Sequence, residues 1–166
     1  MANFVGEFDC KVDNKGRILL PAAFRKQIGE VKKYRFVIKN SPFEQCLEMF
    51  PIEIWEKIIK EIEKDVEHFN PEHRDFLRDF RIGSTEVECD SRGRIRFPIR
   101  LMKMAEITNK AILTGRFDMI EIWSPELFCK SYDDELSPFL CQGRAISKKD
   151  NKFKKTLSYF NINETN

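Results

Sequence analysis

A short motif that occurs twice constrains this chain more than any other feature. Residues 13–21 read DNKGRILLP and residues 90–98 read DSRGRIRFP, at an offset of 77 residues. Aspartate, glycine, arginine, isoleucine and proline are identical in place, and Gly6 upstream matches Gly83. Looser matches follow further along each copy. Such self-similarity predicts two copies of one small structural unit.

Each copy of the motif has the composition of a tight turn. Aspartate at the first position and glycine at the fourth are typical of a type I turn, in which a left-handed glycine closes a hairpin through a bulge. The turn-forming residues are therefore Asp13 and Gly16 in the first copy, and Asp90 and Gly93 in the second.

Short β-rich segments flank both turns and end at a proline, a residue that suits the first turn of a helix. We expect residues 6–12 to pair with 17–20, and residues 84–89 to pair with 94–97. Each unit is thus predicted to be a strand, a turn, a strand, a short helix and two further strands.

Apolar residues at three- and four-residue spacing predict an amphipathic helix over residues 52–69. A second helix is predicted over 72–82 and a third from Pro125 to about Leu136. We interpret the apolar side chains of the first helix as core, with a partner-binding groove as the alternative; these are Trp55, Ile58, Ile59, Ile62 and Val66. The predicted fold class is mainly β with α (α+β).

The net charge of +2 is divided unevenly along the chain. Residues 11–35 hold eight basic and two acidic side chains, residues 44–88 hold six and thirteen, and residues 89–116 hold seven and two. The two basic blocks coincide with the two copies of the motif. This pattern favours a polyanion-binding face that occurs twice.

Other classes of function lack a signal in the sequence. No nucleotide-binding or catalytic motif occurs, and His68 and His73 lack a third ligand at a defined spacing. We therefore predict no enzyme, no metal site and no cofactor. The five cysteines are dispersed without a C-x-x-C pair, so we expect reduced thiols. Uncharged stretches reach only eight residues, and residues 1–9 lack the regions of a secretory signal, so we expect a cytoplasmic protein that does not enter membranes.

The two motif copies, together with residues 47–55 (LEMFPIEIW) and 120–124 (IEIWS), make the chain similar to the MraZ family of bacterial transcription factors. This resemblance implies two fused swapped-hairpin units of the AbrB/SpoVT type that interleave into a β-barrel. It also implies a homo-oligomeric ring, associated with the nucleoid. Such a ring would bind short direct G-rich repeats upstream of its own operon of division and cell-wall genes.

On the basis of this resemblance we expect four segments. They are the first AbrB-like unit at 6–51, a helical insert at 52–82, the second AbrB-like unit at 83–124, and a C-terminal helix with an irregular tail at 125–166. The family pattern also has an arginine five residues after the apolar pair that precedes each proline. Arg25 supplies it in the first copy, whereas Met102 stands in the second. We therefore expect a somewhat smaller contribution to binding from the second copy.

Arg17 and Arg94 directly follow the two turns, and the D-x-x-x-R signature of the family maps onto them and onto the aspartates four residues earlier. An arginine can donate two hydrogen bonds to O6 and N7 of a guanine, the commonest specific contact in the major groove. The alternative is structural, because Asp13 and Asp90 can hold the guanidinium or cap the turn. Both roles are compatible if the aspartate fixes the arginine rotamer.

Six further basic side chains surround the turns, and phosphate contact depends on charge more than on exact position. These candidate phosphate ligands are Lys11, Lys15, Arg25, Arg92, Arg96 and Arg100. The predicted partner is double-stranded DNA. Two alternatives stay open at this point. One is an antitoxin-like module of the same fold superfamily that binds a protein through residues 52–82. The other is an enzyme or RNA-binding accessory, which stays open only because basic loops alone do not distinguish DNA from RNA.

Overall fold

The computed structural model describes residues 3–29 and 34–131 of the chain. Within these ranges there are eight strands and five helices. In chain order they are β1 Glu7–Lys11, β2 Arg17–Leu19, α1 Ala22–Ile28, β3 Arg35–Asn40, β4 Leu47–Pro51, α2 Ile52–Lys64, α3 Pro71–Arg81, β5 Thr85–Glu88, β6 Arg94–Arg96, α4 Ile99–Met104, β7 Lys110–Arg116, β8 Met119–Trp123 and α5 Pro125–Lys130.

Six of the strands form one antiparallel sheet in the order β1-β7-β8-β4-β3-β5. The sheet is symmetric about its centre, where β4 of the first copy pairs with β8 of the second. The outer strands are exchanged between the copies, because β1 pairs with β7 and β5 pairs with β3. The fold is therefore a mixed α/β structure built on a mainly antiparallel sheet, as the sequence predicted in outline.

The prediction that 6–12 would pair with 17–20, and 84–89 with 94–97, is wrong beyond the turns. In place of these hairpins, β2 pairs with β6 of the other copy as a separate two-stranded sheet. Single bridges next to the turns join Val12 to Ile18 and Cys89 to Ile95.

Burial of the central isoleucines gives the physical reason for this exchange. Strands of three residues point only one side chain inward each, and in β2 and β6 these are Ile18 and Ile95. The two residues lie opposite each other across the pair, and each is only 1% exposed. Cross-pairing therefore merges the small apolar surfaces of both copies into one core, which continues into Leu20, Phe24, Phe97 and Leu101.

The helical insert differs from its prediction at one boundary. Helix α2 ends at Lys64, five residues before the predicted end at Phe69, and Phe69 is 99% exposed. The reason lies in the next helix, where the Asn70 side chain accepts a hydrogen bond from the Glu72 N–H and Pro71 occupies the first turn. As the N-cap, Asn70 itself has an extended, non-helical backbone, so the two helices cannot merge.

The insert packs on the sheet through aromatic side chains. Trp55 stacks on Phe80 with ring centroids 5.5 Å apart and lies 5.8 Å from Phe50 of β4. Of the apolar residues of α2, only Ile54 is buried, whereas Trp55 and the isoleucines interpreted as core are half-buried. The interpretation of this helix face as core therefore holds only in part.

A buried polar group lies in the strands next to the insert. Lys39 of β3 lies opposite Glu48 of β4, which in turn lies opposite Glu121 of β8. All three side chains are buried. The Lys39 ammonium is 4.0 Å from the centroid of the Phe80 ring. Burial raises the pKa of Glu48 above its ordinary value. The sequence pattern did not indicate this group.

Helix α5 belongs to a separate unit that begins at Pro125. The helix was predicted to about Leu136, but it ends at Lys130 and Ser131 lies in a turn. Residues 132–166 lie outside the described residues. Cys10, Cys46 and Cys89 are free thiols, but Cys129 is disulfide-bonded, so the prediction of reduced thiols is wrong at that residue. Among the described helices, none is long and apolar enough to cross a membrane.

Candidate nucleic-acid interface

The first turn is closed by one aspartate. The Gly16 N–H donates to the Asp13 carbonyl oxygen at 3.0 Å, and Gly16 has the left-handed φ of +72° that this turn requires. Asp13 Oδ1 accepts hydrogen bonds from the backbone N–H groups of Lys15 and Arg17, each at 2.9 Å. A single carboxylate oxygen thus satisfies two donors of the loop.

The second turn repeats this geometry. The Gly93 N–H donates to the Asp90 carbonyl oxygen at 3.0 Å, with a Gly93 φ of +80°. Asp90 Oδ1 accepts from the N–H groups of Arg92 and Arg94, each at 2.9 Å. The two copies of the motif therefore encode nearly the same loop.

The second carboxylate oxygen of each aspartate holds an arginine. Arg17 Nε donates to Asp13 Oδ2 at 2.7 Å, and Arg94 Nε donates to Asp90 Oδ2 at 2.8 Å. In the described part of the chain, the terminal Nη1 and Nη2 groups of both arginines have no protein partner. The side chains are 25% and 28% exposed. The ion pair of the structural alternative is present, yet it leaves the outer edge of each guanidinium available.

The aspartates are also held in their charged form. The pKa values of Asp13 and Asp90 are lowered, first by the backbone hydrogen bonds from Arg17 and Arg94 and then by bonds from their side chains and from Lys15 and Arg92. Each carboxylate is therefore ionised at neutral pH and keeps its arginine in one orientation.

The sheet of β2 and β6 places arginines from both copies on one face. Because Ile18 and Ile95 point into the core, their neighbours point outward. Arg17 lies opposite Arg96, and Leu19 lies opposite Arg94. The outward face of this sheet thus carries three arginines and one leucine, and the turns stand at its two ends.

The remaining predicted phosphate ligands take different positions. Lys15 and Arg92 are exposed within the turns, and Arg100 is exposed on α4. Lys11 is exposed at the end of β1, where it pairs with Lys110 of β7, so it belongs to the larger sheet. The structure therefore places Lys15, Arg92 and Arg96 near Arg17 and Arg94, the two candidates for base reading. Lys11 lies on a different strand pair.

Arg25 has the least expected position. Although it follows the first motif in sequence, it lies against the second turn: a Cβ atom added to Gly93 would be 3.1 Å from Arg25 Nη1. Met102 occupies the matching place on the first turn, with its sulfur 3.6 Å from a Cβ built on Gly16. The sequence analysis did not predict that Arg25 and Met102 each lie on the turn of the other copy. This placement follows from the exchange of strands, which the residue pattern did not indicate.

Comparison with known proteins agrees with this architecture. The model of the family described as MraZ protein, antitoxin-like, matches residues 3–79 and again residues 80–142. A protein of Flavobacterium psychrophilum named "Transcriptional regulator MraZ" is 36% identical over 139 residues, covering 84% of this chain and 88% of its own. A protein of the same name from Desulfitobacterium hafniense is 37% identical over 125 residues, covering 75% and 83%.

These matches assign the chain to a class of transcriptional regulators, which are not enzymes. Within this class, the chain belongs to the MraZ family.

Proposed function

We propose that this chain is a sequence-specific DNA-binding regulator that binds short direct repeats in the promoter of its own division and cell-wall operon. One observation carries the proposal: Arg17 and Arg94 are each fixed through Nε by an aspartate, while their Nη groups remain available beside the turns. The names of the relatives, transcriptional regulators, support the same role.

The chemistry of base reading follows from this arrangement. Guanine O6 and N7 accept hydrogen bonds from a planar pair of N–H donors, which the outer edge of a guanidinium supplies. The aspartate removes rotamer freedom from the arginine before DNA arrives, so less entropy is lost on binding. The surrounding cations then bind phosphates without regard to sequence; they are Lys11, Lys15, Arg25, Arg92, Arg96 and Arg100.

The proposal includes assembly. The exchanged strands form a swapped-hairpin barrel, and chains associate into a homo-oligomeric ring in the cytoplasm, at the nucleoid. The association of chains is supported by the open edges of the larger sheet, β1 and β5, because edge strands need cover. Phe76 and Ile82 of the insert are also more than half exposed. Light scattering should show a particle larger than a dimer; a monomer near 19.7 kDa at micromolar concentration would contradict assembly.

The experiment that tests DNA reading compares affinities for three probes of equal length. They are the duplex directly upstream of the chain's own gene, a random-sequence duplex, and an RNA of the same sequence. We expect the upstream duplex to bind most tightly, and the preference to fall when Arg17 and Arg94 are both changed to alanine.

Arg74→Ala on α3 is the matched control, because Arg74 is an exposed arginine of the insert and its loss should leave the preference unchanged. Equal affinity for all three probes would reject the proposal. An antitoxin-like module that acts through the insert would give that result, and an RNA-binding accessory would prefer the RNA probe.

A further inference from the structure

Arg25 belongs to the first copy by sequence and to the second turn by position. Its Nη1, Cδ and Cζ atoms lie 3.1, 3.3 and 3.4 Å from a Cβ built on Gly93. Gly93 is buried, whereas Gly16 in the first turn is only half-buried. The Arg25 charge also opposes the burial-driven rise in the pKa of Cys89, next to that turn. Three observations thus place this guanidinium at the second turn.

The backbone explains why the side chain crosses between copies. The Leu20 N–H donates to the Gly93 carbonyl oxygen at 2.8 Å, so the chain that leaves β2 is tied to the second turn. Helix α1 begins two residues later and carries Arg25 over it. The Phe97 N–H donates to the Gly16 carbonyl oxygen at 2.9 Å, and α4 places Met102 over the first turn by the same path.

No described residue forms an ion pair with Arg25. Within residues 3–29 and 34–131, its Nε is also buried without a hydrogen-bond partner. Arg17 and Arg94, by contrast, each have an aspartate. A partly buried cation without a counter-ion is costly, and an anion beside the turn would compensate it. If Arg94 reads a base as proposed above, a DNA phosphate beside the second turn would be that anion.

We infer that Arg25 is a phosphate-binding residue of the second turn. The two turns consequently bind DNA unequally, and the turn at Asp90–Gly93 binds the phosphates more tightly. This inference rests on the proposed function. It also reverses the expectation from sequence alone, in which Met102 weakened the second copy. Because the helices cross, the methionine lies on the first turn and the arginine on the second.

A double-mutant cycle tests the inference on the full-length chain. Arg25→Met introduces the residue that the other copy uses at this place, so the packing has a precedent in the same molecule. We expect it to weaken binding to the upstream duplex and to a random duplex by the same factor. The slope of log affinity against log salt should become shallower by about one per bound subunit.

The second substitution in the cycle shows at which of the two turns Arg25 acts. Neighbouring contacts couple and distant ones add, so the loss from Arg25→Met should shrink by at least about twofold when Arg94→Ala is already present. It should be unchanged in the Arg17→Ala background. The reciprocal variant Met102→Arg should steepen the salt slope and couple to Arg17.

Several results would overturn the inference. They are an unchanged salt slope for Arg25→Met, additivity with Arg94→Ala, or coupling to Arg17→Ala. If the melting temperature shows that Arg25→Met unfolds, Arg25→Gln replaces it in the cycle with the same expected loss. Arg25→Lys is the charge-preserving control, and its salt slope should match that of the unmodified chain. Failure of the unmodified chain to prefer the upstream duplex would reject the proposed function, whereas preference with coupling at the wrong turn rejects only the role of Arg25.

Discussion

The two turns have the same backbone and different surroundings. Their hydrogen-bond lengths to the aspartates agree within 0.1 Å, yet Met102 lies on the first turn and Arg25 on the second. The residues that close each loop are identical in the two copies. The residues that lie against the loops differ, and because the strands are exchanged, each of them comes from the other copy.

The largest expected effect concerns the shared scaffold. Ile18→Ala and Ile95→Ala should each lower the free energy of unfolding by about 2–5 kcal/mol, because both side chains are only 1% exposed and face each other. Denaturant titration measures both. Leu19→Ala is the control on the same strand, since Leu19 is 53% exposed, and it should change stability by less than about 0.5 kcal/mol. Clearly unequal losses of unfolding free energy in the two variants would show that the two copies do not contribute equally to stability.

A smaller effect on DNA affinity is expected from the two arginines that follow the turns. Arg17→Ala and Arg94→Ala should each cost about 1–3 kcal/mol per base contact and narrow the affinity ratio between upstream and random DNA. Lysine keeps the charge without the planar fork, so Arg17→Lys should retain non-specific binding and lose preference. Affinity ratios and melting temperatures are measured together. An unchanged ratio with a lowered melting temperature would leave these arginines with a structural role only.

The smallest effect concerns pH and should be equal in the two turns. The pKa values of Asp13 and Asp90 lie below the ordinary value of 3.8. Each therefore contributes stability that is fully present above that value and is lost as pH falls through the lowered pKa. Melting temperatures between about pH 2 and 5 should show less acid sensitivity in Asp13→Asn and in Asp90→Asn than in the unmodified chain. A change at only one aspartate would show that the turns differ electrostatically as well.

The sequence predicted the local structure well. The repeat, the helix starts after Pro21 and Pro98, and the antiparallel character all follow from residue types with strong backbone preferences. The partners of the strands did not follow. Alternation of apolar residues determines which face of a strand is buried but carries no record of which strand lies beside it.

The candidate site shows the same limit. Asp13 and Arg17 are only four residues apart within one loop, so their spacing in the sequence was enough to indicate the contact between them. The position of Arg25 depends on a hydrogen bond between Leu20 and Gly93, which are 73 residues apart. An ion pair within a turn is local information, whereas the crossing of α1 onto the other copy is a property of the assembled fold.

The exchanged strands also determine the order in which a growing chain can fold on the ribosome. The β3–β4 and β7–β8 pairs are each joined by short connections and can form as soon as they emerge. β1 must wait for β7, since Glu7 pairs with Thr114, and β2 must wait for β6. During synthesis, the first copy therefore carries two strands without a partner, β1 and β2, and a β3–β4 pair with both outer edges open until the second copy has left the exit tunnel. A first copy released alone would have only another first copy with which to complete these pairs.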